Sequence, residues 1–423
     1  MNNSATMDVY ALMSITSATE TVDPHELVQQ ILDPANRANQ YQIYERVRAT
    51  QPLQLPGTGL TVFSRYEDCA EALRHPSASS DQRLSAAALR IVEREPADTR
   101  RTPAFLFLDP PDHTRLRRLV SKAFAPRVVT KLEPFITELV DSLLDRIAQT
   151  GRFDVVSDLA YPVPITVICK LLGVPMEDEP QFRHAAAMTA QGLDPFVAAT
   201  GSEPHVLLDL QQAGLWLREY LVDLVADRRE HPGDDLISRL IVAEESGDQL
   251  TEDEIIATCN LLLVAGHETT VGLIANAILA MLRDPQQWVA LSTDSLRASA
   301  VIEETLRYDS PLQYTPRVAA DDLTIGHTRV IKGADILLLL AAANRDASAF
   351  ERADEFDPDR KPIRHLSLGQ GPHFCLGAPL ARLEARVTLA ALTKRFPYAQ
   401  LDSEPLYKPN FTMRGLSSLL VQV

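Results

Sequence analysis

The chain has 423 residues and carries 57 acidic against 41 basic side chains, a formal net charge of −16 at pH 7. This excess of negative charge argues against a nucleic-acid partner held by phosphate contacts. The longest uninterrupted apolar run, from Ile336 to Ala343, is much shorter than the roughly 20 residues that a membrane-spanning helix needs, so no membrane span is expected. The cysteines lie far apart without a CxxC pair, which is typical of a reducing cytosol and predicts a cytoplasmic protein.

Helical periodicity dominates the chain. Residues 1–23 are expected to form a loose tail and residues 24–423 a single domain, because no linker, low-complexity tract or repeat divides them. Apolar residues recur at three- and four-residue spacing and predict helices at 40–49, 66–75, 111–123, 128–149, 206–229, 252–282, 297–308 and 378–395. Strand-like segments are short and predict small sheets at 60–64, 323–325, 336–340 and 419–423.

A helix start is indicated by the prolines and Asp112 in the segment 109–112. His113 and Arg117 then fall one turn apart on one face, an arrangement that suits a carboxylate ligand. The alternative is a basic, solvated helix face, and these residues taken alone favour that alternative.

The predicted helix at 252–282 is more than twice as long as an average globular helix and is expected to cross the molecule. Thr269 lies one turn after Ala265 and can donate a hydrogen bond to its carbonyl, which together with Gly266 loosens the helix and opens a groove for a small molecule or water. Glu268 could supply protons there. The alternative is a helix kink beside a solvated Glu-Thr pair.

An acid and a base, Glu304 and Arg307, are three residues apart on another predicted helix. Such a pair is ordinarily a surface contact worth roughly 0.2–0.5 kcal/mol. Here the neighbouring residues are apolar, and Arg360 is available to complete a buried charge network that would fix geometry.

Cys375 lies in a loop, 368–379, that contains two glycines and a proline before the cysteine. A helix is predicted to start just after it, at Gly377 and Pro379. The helix dipole and free backbone N–H groups are expected to favour thiolate over thiol, the form that attacks an electrophile or binds metal. A dinucleotide-binding loop is excluded because Phe374 stands where the third glycine is required.

Together, these four motifs resemble the haem-thiolate monooxygenases, the cytochrome P450 family, in its soluble bacterial form. The resemblance runs from about residue 24 to the C-terminus in the same order. The family pattern Phe-Gly-x-Gly-x-His-x-Cys-x-Gly is met except at its first position, where Leu368 replaces phenylalanine. The resemblance implies a mainly α cytochrome P450 fold, with about a dozen helices and small β-sheets around a buried haem b.

The resemblance also implies site residues. Cys375 would ligate the haem iron, Gly377 and Ala265 would contact the haem, and Glu268 and Thr269 would deliver protons during oxygen activation. The implied partners of the haem propionates are His113, Arg117, Arg317 and His373. The implied structural triad is Glu304, Arg307 and Arg360. The implied substrate pocket, which suggests an apolar ligand, includes Leu106, Phe107, Val264, Leu312, Gln313 and Met413.

The activity that follows from the resemblance is hydroxylation or epoxidation of a hydrophobic small molecule with O2, the polyketide, terpenoid, steroid and fatty acyl classes all being open. Electrons would come from NAD(P)H through a ferredoxin reductase and a ferredoxin, to a monomer. A basic docking patch is expected at Arg115, Arg118, Arg382 and Arg386. The alternatives are a peroxide-driven peroxygenase, against which Glu268 and Thr269 argue, a non-oxygenating haem-thiolate enzyme, and a haem carrier or gas sensor.

Overall fold

The computed structural model describes residues 23–50, 52–55, 57–87, 89, 102–191, 204–245 and 250–423. The predicted N-terminal tail therefore lies, apart from residue 23, outside the described residues. The helices within these ranges are α1 (Pro24–Leu32), α2 (Gln40–Ala49), α3 (Tyr66–Ala72), α4 (Asp112–Ser121), α5 (Pro126–Val129), α6 (Glu133–Ile147), α7 (Pro162–Leu172), α8 (Glu179–Gln191), α9 (Pro204–Glu230), α10 (Leu236–Glu245), α11 (Glu252–Leu282), α12 (Pro285–Thr293), α13 (Ala298–Tyr308), α14 (Leu340–Ala343) and α15 (Ala378–Arg395).

The strands are short and form small sheets. They are β1 (Leu53–Leu55), β2 (Leu60–Phe63), β3 (Ala78–Ser79), β4 (Arg152–Asp154), β5 (Thr315–Ala319), β6 (Leu323–Ile325), β7 (Thr328–Val330), β8 (Asp335–Leu338), β9 (Gln400–Leu401), β10 (Leu406–Tyr407), β11 (Leu416–Ser418) and β12 (Leu420–Gln422). The largest described sheet has the order β1-β2-β8-β5-β3, in which only β2 and β8 run parallel. A three-stranded sheet has the order β4-β12-β9, and β6-β7 and β10-β11 form antiparallel pairs. The predicted mainly α fold with small sheets is confirmed.

Each predicted helix coincides with one or two helices of the structure, whereas α1, α7, α8, α10 and α12 were not predicted. The predicted helix at 128–149 is instead two helices, α5 and α6, separated by a short turn at Thr130–Leu132, and Pro134 lies in the first turn of α6. Helix α7 was missed because eight of its eleven residues are buried, so it lacks the broad polar face of an amphipathic helix. The apolar run from Ile336 is partly strand β8 and then bends into α14.

Helix α11 is the central helix of the fold. Its N-terminus carries a capping box, in which the Thr251 side chain accepts the Glu254 N–H and the Glu254 carboxylate accepts the Thr251 N–H. It packs against α7, α9, α13 and α15. Among the described helices it is the one long and apolar enough to cross a membrane by composition, and 72% of its most apolar window is buried inside the protein. That burial is the environment of a core helix.

Candidate active site

The cysteine loop is shaped by two glycines and closed by backbone hydrogen bonds. Gly369 and Gly371 both adopt φ of +68°, a left-handed conformation that glycine accepts without strain. The Cys375 N–H donates to the Leu368 carbonyl at 2.8 Å, and α15 begins three residues after the cysteine. The loop therefore presents the sulfur at a helix N-terminus, as the sequence predicts.

The helix N-terminus favours the thiolate of Cys375 as expected, but burial opposes it more strongly. Burial raises the pKa of the thiol, and this effect outweighs hydrogen bonding from the backbone N–H groups of Gly377 and Ala378 and the nearby charges of Arg117 and Arg382. A thiol of this kind is a poor free nucleophile. A bound metal cation would supply the missing positive charge and hold the sulfur as thiolate, so the metal-ligand reading is the stronger of the two.

The four predicted carboxylate-binding residues lie together beside this loop. His113, in the first turn of α4, packs against His373 with ring centroids 4.1 Å apart and the ring planes tilted by 39°. Arg317 comes from strand β5, where its Nη1 donates to the Thr315 hydroxyl and the Pro316 carbonyl. Arg117, one turn after His113, donates to the Phe374 carbonyl. Three separate segments thus converge on one cluster.

His113 and Arg317 of this cluster are buried, and the acidic side chain near both of them, Asp109, accepts hydrogen bonds from Ser79 and Ser80. Both ring nitrogens of His113 and Nδ1 of His373 are buried without a hydrogen-bond partner among the described residues. Burial lowers the pKa of His373 to about 3, with His113, Arg317 and Arg117 adding to the effect. Burial also lowers the pKa of Arg317 to about 10. A ligand with carboxylate groups would satisfy the orphan nitrogen atoms and balance the two guanidinium charges.

The middle of the central helix has the predicted local geometry. The Thr269 hydroxyl donates to the Ala265 carbonyl at 2.7 Å, and the Thr270 hydroxyl donates to the Gly266 carbonyl at 3.0 Å. Ala265 and Gly266 are exposed although Val264 and His267 beside them are buried. A groove therefore runs along this turn, bordered by small residues and a hydroxyl.

Glu268 is held by a residue that the sequence analysis did not identify. Lys408 Nζ donates to Glu268 Oε2 at 2.7 Å, and Glu268 Oε1 lies 4.0 Å from His267 Nδ1. The Glu268 side chain is only 11% exposed, so a solvated Glu-Thr pair is not what the structure shows. No local sequence signal could have found Lys408, because it lies 140 residues away.

The predicted charge triad is assembled and buried. Arg307 donates from Nε and Nη2 to both carboxylate oxygens of Glu304, at 2.9 and 2.7 Å, and both side chains are fully inaccessible. Arg360 Nε approaches Glu304 Oε1 at 3.5 Å. The surface-pair interpretation of Glu304 and Arg307 is therefore excluded.

The implied pocket residues lie in three places. Val264 and Met413 form a small apolar cluster, and Met413 is bridged to Leu312. Leu106 and Phe107 lie on a partly exposed turn after the undescribed segment 90–101. The inclusion of Gln313 needs correction, because its amide is fully buried, accepting from the Tyr44 hydroxyl and donating to the Ser310 carbonyl. Its side chain thus links helix α2 to the segment around Ser310 and is engaged within the protein.

The expected docking patch is less basic than its four arginines suggest. Arg115 pairs with Glu254 at 2.5 Å, Arg382 with Glu303 at 2.6 Å and Arg386 with Glu133 at 2.7 Å. Burial by itself would raise the pKa of Glu303, but hydrogen bonds from His365 and Arg382 outweigh this effect and lower the pKa to about 2. The Arg382–Glu303 and Arg386–Glu133 pairs line a surface groove of about 270 Å³ beside the start of α15.

The residues around Cys375 suit haem. The Cys375 sulfur would bind the haem iron, and the histidine and arginine cluster would supply donors for the two carboxylates. Among the described residues no group of three or more His, Cys, Asp or Glu side chains could hold a metal ion without such a prosthetic group.

Comparison with known proteins also supports a haem-binding protein. The sequence profile described as "Cytochrome P450" matches residues 23–298 and 297–418. The chain is 39% identical to "Cytochrome P450 107B1" of Saccharopolyspora erythraea, covering 92% of this chain and 96% of that protein. It is 58% identical to CYP164A2 of Mycobacterium smegmatis, solved ligand-free and with econazole, at a TM-score of 0.89, covering 94% of this chain and all of that one.

A third relative, the myxobacterial CYP267B1 solved in complex with myristic acid, is 35% identical and has a TM-score of 0.84 over 93% of this chain and 98% of that one. The chain belongs to the cytochrome P450 family. It is a haem-dependent monooxygenase, and its relatives bind haem through a cysteine thiolate.

Proposed function

We propose that the chain oxygenates a hydrophobic small molecule at a haem whose iron is bound by Cys375. One atom of dioxygen enters the substrate and the other leaves as water, with two electrons and two protons consumed. Haem, when bound, supplies the redox-active iron that reduces dioxygen. The observation that carries this assignment is the convergence of His113, Arg117, Arg317 and His373 on the Cys375 loop, where their buried nitrogen atoms fit the two propionates.

The haem assignment is tested by the carbon monoxide difference spectrum of the reduced protein. A thiolate-type spectrum is expected for the native chain and for Cys259→Ala, since Cys259 is a buried cysteine elsewhere on the central helix. Cys375→His should lose that spectrum. A histidine-type spectrum from freshly purified native protein would contradict the proposed ligand.

Glu268 and Thr269 carry the protons in this proposal. Thr269 borders the groove through its bond to Ala265, and Glu268 lies in the same turn, so an acid is next to the hydroxyl that would pass the proton on. Thr269→Ala should retain ligand binding, release hydrogen peroxide and lose coupling of NAD(P)H oxidation to product. Full coupling in this variant would refute the relay.

The substrate is an extended apolar molecule. A fatty acyl compound is the first candidate to test, followed by the polyketide, terpenoid and steroid classes. The apolar cluster of Val264 and Met413, with Leu312 beside it, supports this proposal, as does the fatty-acid complex of one relative. Titration with myristic acid, followed by the iron spin state, tests it. Econazole serves as the positive control for access to the haem.

Electrons reach the site from NAD(P)H through a ferredoxin reductase and a ferredoxin. The groove formed by the Arg382–Glu303 and Arg386–Glu133 pairs lies beside α15, whose N-terminus follows Cys375, and this position supports a docking role. All four cysteines are unpaired, which supports a reducing, cytoplasmic location. We place the enzyme there as a monomer.

A further inference from the structure

One face of the central helix is covered by the C-terminal hairpin, strands β10 and β11 with the turn between them. Val264, Glu268 and Gly272 are four residues apart in turn, so they form a single stripe along this helix. Each meets the hairpin. Val264 contacts Met413, and Glu268 is paired with Lys408.

Gly272 completes the stripe. A Cβ atom added at this glycine would lie 3.1 Å from the Arg414 carbonyl oxygen, so the hairpin backbone packs closely against the helix at this position. Lys408 is itself fixed in the hairpin, since its N–H donates to the Gly415 carbonyl at 3.0 Å. The hairpin therefore has one register on the helix, and that register puts the Lys408 ammonium opposite Glu268.

Lys408 is the cation that contacts Glu268. Burial lowers the pKa of His267 to about 4, so this neighbour is a neutral imidazole near pH 7. Arg183 is engaged with Glu179, and the hydroxyl of Tyr161 donates to the Arg183 carbonyl. The hydrogen bond that the described residues make to the Glu268 carboxylate comes from Lys408 and goes to Oε2.

We propose that Lys408 is a positioning residue for proton delivery: it holds Oε2 of Glu268 and leaves Oε1, which lies 4.0 Å from His267 Nδ1, as the oxygen that exchanges protons with Thr269. The ammonium is not a proton donor in this role; it restricts the rotation of a long carboxylate side chain. Because Met413 belongs to the same hairpin, the element proposed to contact the substrate would also position the acid. This inference rests on the proposed function of Glu268 and Thr269.

The role is tested with Lys408→Met, which removes the charge and keeps the chain length, and Lys408→Arg, which keeps the charge. Lys332→Met is the matched control, because Lys332 forms an exposed pair with Asp321 at the end of the β6-β7 pair of strands. The measurements are product formed per NAD(P)H, hydrogen peroxide released, the dissociation constant for myristic acid from the spin-state titration, and the melting temperature.

Lys408→Met should lose coupling about three- to tenfold, with the difference appearing as peroxide, while ligand affinity stays within about twofold. Lys408→Arg should recover most of the coupling, and Lys332→Met should match the native chain. In a Glu268→Gln background, Lys408→Met should add no further loss. Native coupling in Lys408→Met would overturn the proposal. A loss of coupling that comes with a lowered melting temperature and weakened ligand binding would also overturn it, because it would indicate general structural damage.

Failure of the proposed function is seen separately. Native protein that lacks the thiolate-type carbon monoxide spectrum, or that forms no product from any ligand that shifts its spin state, would remove the proposed function before any Lys408 variant is compared.

Discussion

Replacement of Glu304 by glutamine should destabilise the folded protein strongly, because it leaves a buried guanidinium without its full counter-charge. Arg307 uses its donors on two Glu304 oxygens and on the carbonyls of Asn344, Ala353 and Glu355, at 2.7 to 3.0 Å. Neither side chain of the ion pair is accessible to solvent. Water therefore cannot reach the Arg307 guanidinium to solvate the charge that Glu304 no longer balances.

The magnitude follows from the cost of a buried, uncompensated ion. Removal of one partner of a buried pair typically costs about 3–5 kcal/mol. Glutamine still offers one oxygen to accept a hydrogen bond, so about 3 kcal/mol is expected for Glu304→Gln. The double variant Glu304→Met with Arg307→Met removes both charges and should lose at least about 1 kcal/mol less than the sum of the single methionine variants.

Urea unfolding of the holoprotein, followed by the helical circular dichroism signal, measures these differences. Asp321→Asn breaks the exposed pair with Lys332 and is the matched control, expected to change stability by about 1 kcal/mol or less. If Glu304→Gln falls within the range of this control, or if the double variant loses the full sum, the buried charge is not what makes the pair important.

Two further predictions concern groups near the cysteine helix. Burial raises the pKa of Glu384, whose Oε2 has no partner among the described residues, so its protonated form stabilises the fold at low pH and this contribution is lost as pH rises through the folded-state pKa. Glu384→Gln should therefore raise the melting temperature relative to the native chain more at pH 8 than at pH 5; equal effects at both would contradict the assignment. Charge reversal at Arg382 and Arg386 should slow reduction by ferredoxin in stopped flow by about tenfold, whereas Arg329→Glu, in an exposed pair elsewhere, should not.

Local sequence was enough to predict the features that depend on nearby residues. The long central helix, the Thr269 bond to the Ala265 carbonyl and the helix starting just after Cys375 all follow from spacing within a few residues, and all are present. The family resemblance, carried by the cysteine loop, led from these motifs to the correct fold class and cofactor.

Tertiary packing decided the features that depend on burial and on distant partners. It buried Glu304 with Arg307, turned the Gln313 amide toward Tyr44 and Ser310, and raised the pKa of Cys375 against the influence of its helix N-terminus. Desolvation is a property of everything packed around a group, so the loop around Cys375 does not reveal it.

The pairing of Lys408 with Glu268 has the same origin. The spacing along the helix shows that Glu268 shares a face with Val264 and Gly272, but the partner of that face is set by how the C-terminal hairpin packs. The sequence alone identifies Glu268 as a candidate acid. Only the folded chain shows which cation holds it, because ion pairs across 140 residues depend on three-dimensional register and leave no local pattern.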